Sequence, residues 1–144
     1  MSVPRFEPPD VDYERKVRDS FSQQGLMRTL GAELTTVCAG RVEIELASAP
    51  ALTQQDGYLH AGAVISVLDS ACGYAAYSLM PKGRRVLTVE LKVNLLAPAA
   101  GQLLIATGQV LRPGRTLTIC RGEGHVDGRH VATLLTTMMG SDET

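Results

Sequence analysis

The residues with the most chemical potential lie in one segment, HAGAVISVLDSACGYAA, residues 60–76. Small and apolar residues fill this segment, yet His60 opens it and Asp69 places a carboxylate near its middle. A carboxylate buried without a partner is costly, and Asp is a poor residue inside a helix. Two interpretations follow. In the first, Asp69 reaches solvent or a partner chain, or caps a helix break. In the second, it is a functional carboxylate held in a cleft.

The start of the same predicted helix is a candidate site for an oxyanion. The first amides of a helix have no partner within the helix and carry partial positive charge. Ala61 and Gly62 surround those amides with little side chain, so an oxyanion or a polarised carbonyl could bind there. The alternative is that His60 only caps the helix and that the small residues after it serve packing.

The two features together indicate more than either does alone. A donor at the helix start and a carboxylate two turns later form a layout that acyl transfer can use. At 1.5 Å of rise per residue the two positions are roughly 12 Å apart along the axis. One helix cannot serve one carbonyl across that distance. The spacing therefore indicates an active site to which a second copy of the chain brings its own helix start.

Other catalytic and metal-binding motifs are weaker. The sequence contains no G-x-S-x-G elbow, no phosphate-binding loop and no dinucleotide fingerprint. Cys72 lies one turn beyond Asp69 but has no His at helical spacing, which makes it a poor candidate nucleophile. His125 and His130 flank Asp127-Gly128 without Cys or carboxylate ligands in a recognised spacing, so we interpret them as solvated turn residues. We expect no metal ion and no other cofactor.

Composition restricts the class of protein. The chain has 144 residues, which predicts one domain, and its formal net charge of -1 and lack of Trp oppose nucleic-acid binding. No apolar run approaches the roughly 18 residues that span a bilayer, and the N-terminus lacks a signal-peptide core. We therefore expect a cytoplasmic protein that binds no membrane. The odd number and wide spacing of Cys38, Cys72 and Cys120 indicate reduced, buried thiols.

Hydrophobic periodicity predicts an α+β fold. We expect a helix over residues 11–30, a long helix over 60–80, and strands over 33–37, 41–46, 86–96, 102–111, 116–126 and 130–139. Within 86–96, strict alternation places Leu87 and Leu91 on one face and Thr88 on the other. Residues 112–115 suit a type II turn, and Asp127-Gly128 is a strong hairpin signal. The small residues of the long helix suggest that an antiparallel sheet wraps round it.

Three segments carry a family resemblance: LTQQDGYLHAGAVISVLDSACGYAA, VLTVELKVNLLAPA and LRPGRTLT. They resemble the PaaI-like hotdog-fold acyl-CoA thioesterases, relatives of phenylacetyl-CoA and 4-hydroxybenzoyl-CoA thioesterases. The resemblance covers about residues 25–139, and the spacing from Gly57 to His60 to Asp69 matches without a gap. It implies a hotdog domain over 25–144, preceded by a lead-in and helix over 1–24. It also implies hydrolysis of an acyl-CoA to a carboxylic acid and CoA.

The resemblance assigns roles residue by residue. Asp69 matches the family's catalytic carboxylate, which acts as a nucleophile or as a general base for water. Ala61 matches the glycine whose backbone N–H polarises the thioester carbonyl, and His60 matches the histidine that orients the substrate. Gln54 stands where the family often has Asn, which positions the thioester or water. Thr88 matches the strand Ser or Thr that assists the carboxylate.

Two positions depart from the family pattern. His-Gly-Gly has become His60-Ala61-Gly62, and a backbone donor survives this change where φ is negative, as at a helix start. The change from Asn to Gln54 keeps the amide but lengthens its arm, so Gln55 could supply the functional amide instead.

The resemblance also implies a homo-oligomer, a dimer or a dimer of dimers, with each active site shared between subunits. We expect Gly62 and Gln55 to contact substrate, and Arg112 and Arg115 are candidates for the CoA phosphates. A solvated loop surface is the alternative explanation for these arginines. The competing functions are an acyl-CoA sensor or carrier without turnover, a hotdog dehydratase or hydratase, and a structural domain.

Overall fold

A computed structural model describes residues 4–143 of the chain; residues 1–3, which begin the predicted lead-in, and residue 144 lie outside the described residues. The helices are α1 (Tyr13–Ser22), α2 (Gly25–Leu30) and α3 (Ala61–Tyr77), with a 3-10 turn over Pro50–Leu52. The strands are β1 (Glu33–Cys38), β2 (Arg41–Ala47), β3 (Arg84–Leu95), β4 (Leu103–Arg112), β5 (Leu117–Val126) and β6 (Arg129–Asp142).

The six strands form one antiparallel sheet in the order β1-β2-β4-β5-β6-β3, and α3 packs against one face of it. The α+β prediction and the sheet around a central helix are confirmed. No helix in the described part of the chain is long and apolar enough to cross a membrane.

Glycines on two neighbouring strands let the sheet approach α3 closely. Gly108 of β4 and Gly122 of β5 are register partners. A Cβ at Gly108 would lie 2.3 Å from the backbone carbonyl carbon of Ala71, and one at Gly122 would lie 3.1 Å from Cys72 Sγ. Ala71 and Cys72 are fully buried. The small residues of the helix are therefore matched by strand positions that have no side chain.

The first predicted helix is interrupted. α1 ends at Ser22 and α2 begins at Gly25, because Gln24 has an extended backbone with φ -80° and ψ 107°. The predicted domain boundary at residue 24 falls at this break, and the division of the chain remains a prediction. The long helix ends at Tyr77, three residues earlier than predicted, and a turn leads from there to Pro81.

A β-bulge at Val89 changes the face to which the start of β3 points. Thr88 pairs with Met138 and Glu90 pairs with Thr137, which leaves Val89 as the extra residue. The Met138 side chain is buried between the sheet and α3, so its partner Thr88 lies on the face that packs against α3. Strict alternation over 86–96 is therefore wrong at this point. Bulges re-aim side chains in this way and are frequent beside active sites.

The two predicted turns have different outcomes. Asp127 and Gly128 both have positive φ, of 46° and 85°, which confirms a type I′ hairpin. Gly114 does not have the positive φ that a type II turn requires, so that prediction is wrong. A four-residue loop joins β4 to β5 instead. Its Gly114 is needed because a Cβ there would lie 2.0 Å from the carbonyl oxygen of Leu117.

We predict that Gly108→Ala lowers the free energy of unfolding by about 1–3 kcal/mol, since the added methyl overpacks the sheet against the Ala71 backbone. Gly25→Ala is the matched control, because a Cβ at Gly25 meets nothing within 4 Å. Urea denaturation at one fixed protein concentration measures both. Equal stability of the two variants would contradict the close approach of sheet and helix.

Candidate active site

Asp69 lies on α3 opposite the first half of β3, and it is partly exposed. Its Oδ1 accepts a hydrogen bond of 2.7 Å from Thr88 Oγ1, which also lies 3.4 Å from Met138 Sδ. The bulge at Val89 makes the first contact possible, because it turns Thr88 toward the helix. Among residues 4–143, no cation forms a salt bridge with Asp69 and no donor bonds its Oδ2. One carboxylate oxygen is therefore fixed and the other is available.

A cavity of about 370 Å³ opens beside this carboxylate. Its volume lies within the range of small-molecule sites. The N-terminal helices provide part of the wall, since Gln24 donates to Tyr74 OH at 3.1 Å and accepts from Ser70 Oγ at 2.9 Å. The lining residues are Ser20, Gln24, Asp69, Ser70, Gly73, Tyr74, Tyr77, Arg85, Val86, Leu87, Thr88 and Met138. The cavity is mixed in polarity, with two tyrosines and a basic side chain beside the carboxylate.

His60 caps α3, and this leaves one amide of the helix start free. His60 Nδ1 accepts a hydrogen bond of 2.8 Å from the Gly62 N–H, so the capping interpretation holds and the Gly62 amide is occupied. The Ala61 N–H has no acceptor within the described chain. Ala61 instead lines a second cavity, of about 410 Å³. Its amide is thus the donor that could bind a carbonyl or oxyanion.

The two glutamines of the preceding loop differ in position. Gln54 lines the Ala61 cavity, and its Oε1 accepts from the backbone amides of Asp56 and Tyr58 at 2.7 and 3.1 Å. These bonds fix the side chain, and its NH₂ group donates no hydrogen bond among the described residues. Gln55 is exposed and contacts Asp56 at 3.5 Å. The arrangement favours Gln54 over Gln55 as the functional amide.

The predicted site residues do not form a single cluster within one chain. Asp69 and Thr88 line the first cavity, Ala61 and Gln54 line the second, and the two cavities share no lining residue. His60 and Gly62 line a third cavity, beside α2. The separation inferred from the helix rise is thus present in the structure.

The two arginines suggested for the CoA phosphates line neither the Asp69 cavity nor the Ala61 cavity. Arg115 lines a pocket at the β4–β5 loop with Arg84, and Arg112 is exposed at the end of β4. The β4–β5 loop lies beside the turn that follows α3, at the end of the helix opposite to His60. Arg85 is the basic residue that lines the Asp69 cavity. Gln24 could not be singled out from the sequence, because only tertiary packing brings it to the cavity beside the carboxylate.

Strand β3 lies at the edge of the sheet and runs past both cavities. It pairs with β6 along one side only. Its apolar side chains are unusually open: Leu87 is 57% exposed, Val89 56% and Leu95 52%. Leu87 lines the Asp69 cavity, and Leu95 lines the Ala61 cavity. A long apolar edge of this kind is typical of a strand that pairs with another chain.

The cysteines are not part of this site. Burial raises the pKa of the Cys72 thiol well above its usual range, and charges on Cys120 and Asp69 act in the same direction. Burial also raises the pKa of Cys120 to about 12. A thiol that stays protonated is a poor nucleophile. Cys38 is exposed, so the prediction of buried thiols holds for Cys72 and Cys120 and is wrong for Cys38.

Comparisons with known proteins agree with one another. The sequence profile of the thioesterase superfamily matches residues 56–133. A crystal structure of a thioesterase family protein from Silicibacter pomeroyi is 51% identical, with a TM-score of 0.88 over 90% of this chain and 98% of that one. A 1,4-dihydroxy-2-naphthoyl-CoA hydrolase of Listeria monocytogenes is 26% identical over 66% of this chain and 77% of its own length.

The PaaI protein of the E. coli phenylacetic acid degradation operon shares the fold. It is 19% identical, with a TM-score of 0.84 over 92% of this chain and 96% of that one.

We predict that a thiol reagent at pH 8 labels only Cys38 quickly in the folded protein. Cys72 and Cys120 should react only after denaturation, because burial keeps them protonated and inaccessible. Time-resolved labelling with mass spectrometry measures the order of modification. Cys38→Ser is the control and should abolish the fast phase. Fast labelling of Cys72 in that variant would make Cys72 a candidate nucleophile again.

Proposed function

Because this chain belongs to the thioesterase superfamily and has its hotdog fold, we propose that it hydrolyses an acyl-CoA thioester to a carboxylic acid and CoA. The observation that carries the proposal is the Asp69 carboxylate, held by Thr88 at a cavity of acyl-group size. The similarity to a CoA hydrolase from Listeria supports the choice of a CoA thioester as substrate.

In the proposed reaction the free Oδ2 of Asp69 attacks the thioester carbon or removes a proton from the water that does. Thr88 holds Oδ1, so the carboxylate keeps one orientation. As the carbonyl oxygen gains negative charge, the Ala61 N–H at the start of α3 stabilises it, aided by the helix dipole. The C–S bond then breaks. If Asp69 acts as the base, the proton that it took from water passes to the CoA thiolate and the acid is released directly. If Asp69 acts as the nucleophile, the thiolate takes its proton from solvent, and a water molecule then hydrolyses the acyl–Asp69 anhydride to free the acid and restore the carboxylate. Gln54 and His60 orient the substrate, and the proposal needs no metal ion.

We propose that the active unit is a dimer in which each site combines Asp69 and Thr88 of one chain with Ala61 and Gln54 of the other. Antiparallel pairing of two β3 edges would place the Leu87 end of one chain beside the Leu95 end of its partner. Each of these ends borders a different half of the site. The pairing would also cover the exposed apolar side chains of β3. Assembly and completion of the site would be one event.

We also propose a cytoplasmic location. Cys38, Cys72 and Cys120 are all free, and Cys38 is exposed. An exposed free thiol suits a reducing compartment better than an oxidising one.

We predict that Asp69→Asn lowers kcat at least about 100-fold, since the amide can neither attack nor accept a proton. Thr88→Val should lower kcat roughly 10- to 100-fold by removing the hydrogen bond that orients the carboxylate. The measurement is thiol release from a panel of short-, medium- and long-chain and aryl acyl-CoAs.

Glu45→Gln is the matched control, because Glu45 lies on β2 with its side chain on the outer face of the sheet. Full turnover by Asp69→Asn would disprove the mechanism. Tight binding of CoA esters without turnover by the native protein would favour a sensor or carrier instead.

We predict that Ala61→Pro also inactivates the protein while leaving it folded. Proline is accepted at the first helical position, and His60 already has the extended backbone that a following proline requires, with φ -61° and ψ 139°. The change therefore removes the N–H alone, and loss of one oxyanion donor costs about 100- to 1,000-fold in kcat.

Mixing the two inactive variants tests the shared site. In a mixed dimer of Asp69→Asn and Ala61→Pro chains, one of the two sites would contain both an intact carboxylate and an intact amide. Reassembly of equal amounts from denaturant should then restore about a quarter of native turnover, since half of the dimers are mixed. If each site came from a single chain, no mixture would regain activity. Size-exclusion chromatography confirms that the mixed chains have reassembled.

A further inference from the structure

Three potential metal ligands meet on the face of the sheet opposite α3. Glu123 and His125 are two residues apart on β5 and therefore point to the same side, away from the flanking Gly122 and Gly124 that face the helix. His130 of β6 pairs with His125 across the hairpin. Each of the three residues offers one ligand atom, and these atoms all lie within 4.8 Å of one another.

The hairpin fixes the two imidazoles side by side. The type I′ turn at Asp127-Gly128 pairs Val126 with Arg129 and therefore places His130 opposite His125; the register shifts only beyond this pair, between Gly124 and His125. The rings stack with their centroids 4.7 Å apart and their planes 14° from parallel. From the sequence the two histidines are predicted to be solvated turn residues, because no Cys or carboxylate stands at a recognised spacing. The register supplies that carboxylate as Glu123, so this interpretation is revised.

We infer that Glu123, His125 and His130 bind one divalent transition-metal ion of the Co²⁺, Ni²⁺, Cu²⁺ and Zn²⁺ class. Two imidazole nitrogens and one carboxylate oxygen are a donor set that these ions favour, whereas Ca²⁺ and Mg²⁺ favour oxygen alone. Metal–ligand bonds of about 2.0–2.2 Å place neighbouring ligand atoms roughly 3–3.5 Å apart, so the widest separation in the cluster contracts by up to about 1.8 Å on binding. His130 is exposed and can make that movement.

The three side chains have no competing partners. In the portion of the chain that the structure covers, none of them forms a salt bridge or a side-chain hydrogen bond. Their register neighbours on the outer face, Ile105, Thr107 and Thr133, carry no charge. A cation can therefore bind without breaking a salt bridge or a side-chain hydrogen bond of these residues.

The position of the cluster indicates a structural role. The sheet separates it from the Asp69 cavity, so the ion would not contact the thioester. It would instead connect β5 to β6 at the end where their hairpin closes. An ion that binds the folded hairpin and not the unfolded chain stabilises the fold by mass action. This inference is independent of the proposed hydrolysis.

The test uses the 144-residue chain without an affinity tag, stripped of metal by a chelator. Calorimetric titration with Zn²⁺ should give one ion per chain. At free Zn²⁺ about 100-fold above the Kd, Tm should rise by roughly 5–10 °C. Titration with Co²⁺ should give the visible absorption of an ion bound by imidazole nitrogen.

The variants Glu123→Gln, His125→Gln and His130→Gln should each weaken Zn²⁺ binding at least 10-fold. Changes to residues that only support metal ligands already lower affinity by about 10- to 100-fold. Glu45→Gln removes a carboxylate of β2 from the same outer face of the sheet, and this variant should bind Zn²⁺ like the native chain. Circular dichroism without metal checks that each variant is folded. Lack of Zn²⁺ binding overturns the inference. So does binding that survives all three changes, or that is lost in Cys38→Ser.

Discussion

The close contact between α3 and the middle of the sheet is the constraint on which the rest of the structure depends. Gly108 and Gly122 bring the strand backbones against Ala71 and Cys72, so this face of the helix is fully buried. A charged side chain can reach solvent only from the partly exposed positions of the helix. Asp69 occupies one of them, beside the edge strand β3, where a cavity interrupts the packing. The location of the carboxylate thus follows from how tightly the other strands pack.

The bulge at Val89 shows where local periodicity fails and why. Alternation alone puts Thr88 on the face opposite to Leu91, while the family resemblance places Thr88 beside the carboxylate. One extra residue in β3 overrides the alternation, and Thr88 then lies on the same face as Leu91, toward the helix. A bulge is set by pairing with β6 and by contact with the helix, and neither is encoded within residues 86–96. Only the motif of a known family could indicate this position from the sequence.

The elements that could be predicted are those with a strong local signal. The strands of the sheet, the long helix and the Asp127-Gly128 turn have clear periodicity or turn residues. Features that depend on distant residues were not predictable. They include the wall that Gln24 contributes to the Asp69 cavity and the approach of Glu123 to His125 and His130. Gly114 belongs with them. A side chain is excluded at this position by the carbonyl of Leu117, and not by the backbone φ of Gly114 itself.

The division of the site into two cavities connects catalysis with assembly. A rigid helix holds Asp69 and Ala61 two turns apart, and no loop in a single chain can shorten that distance. The same chain exposes an apolar edge, which a monomer would present to any other strand. Pairing of two β3 edges would resolve both problems, since it covers the apolar edge and brings each carboxylate to a free amide. In the proposed dimer, the helix that keeps one chain inactive is what makes two chains complementary.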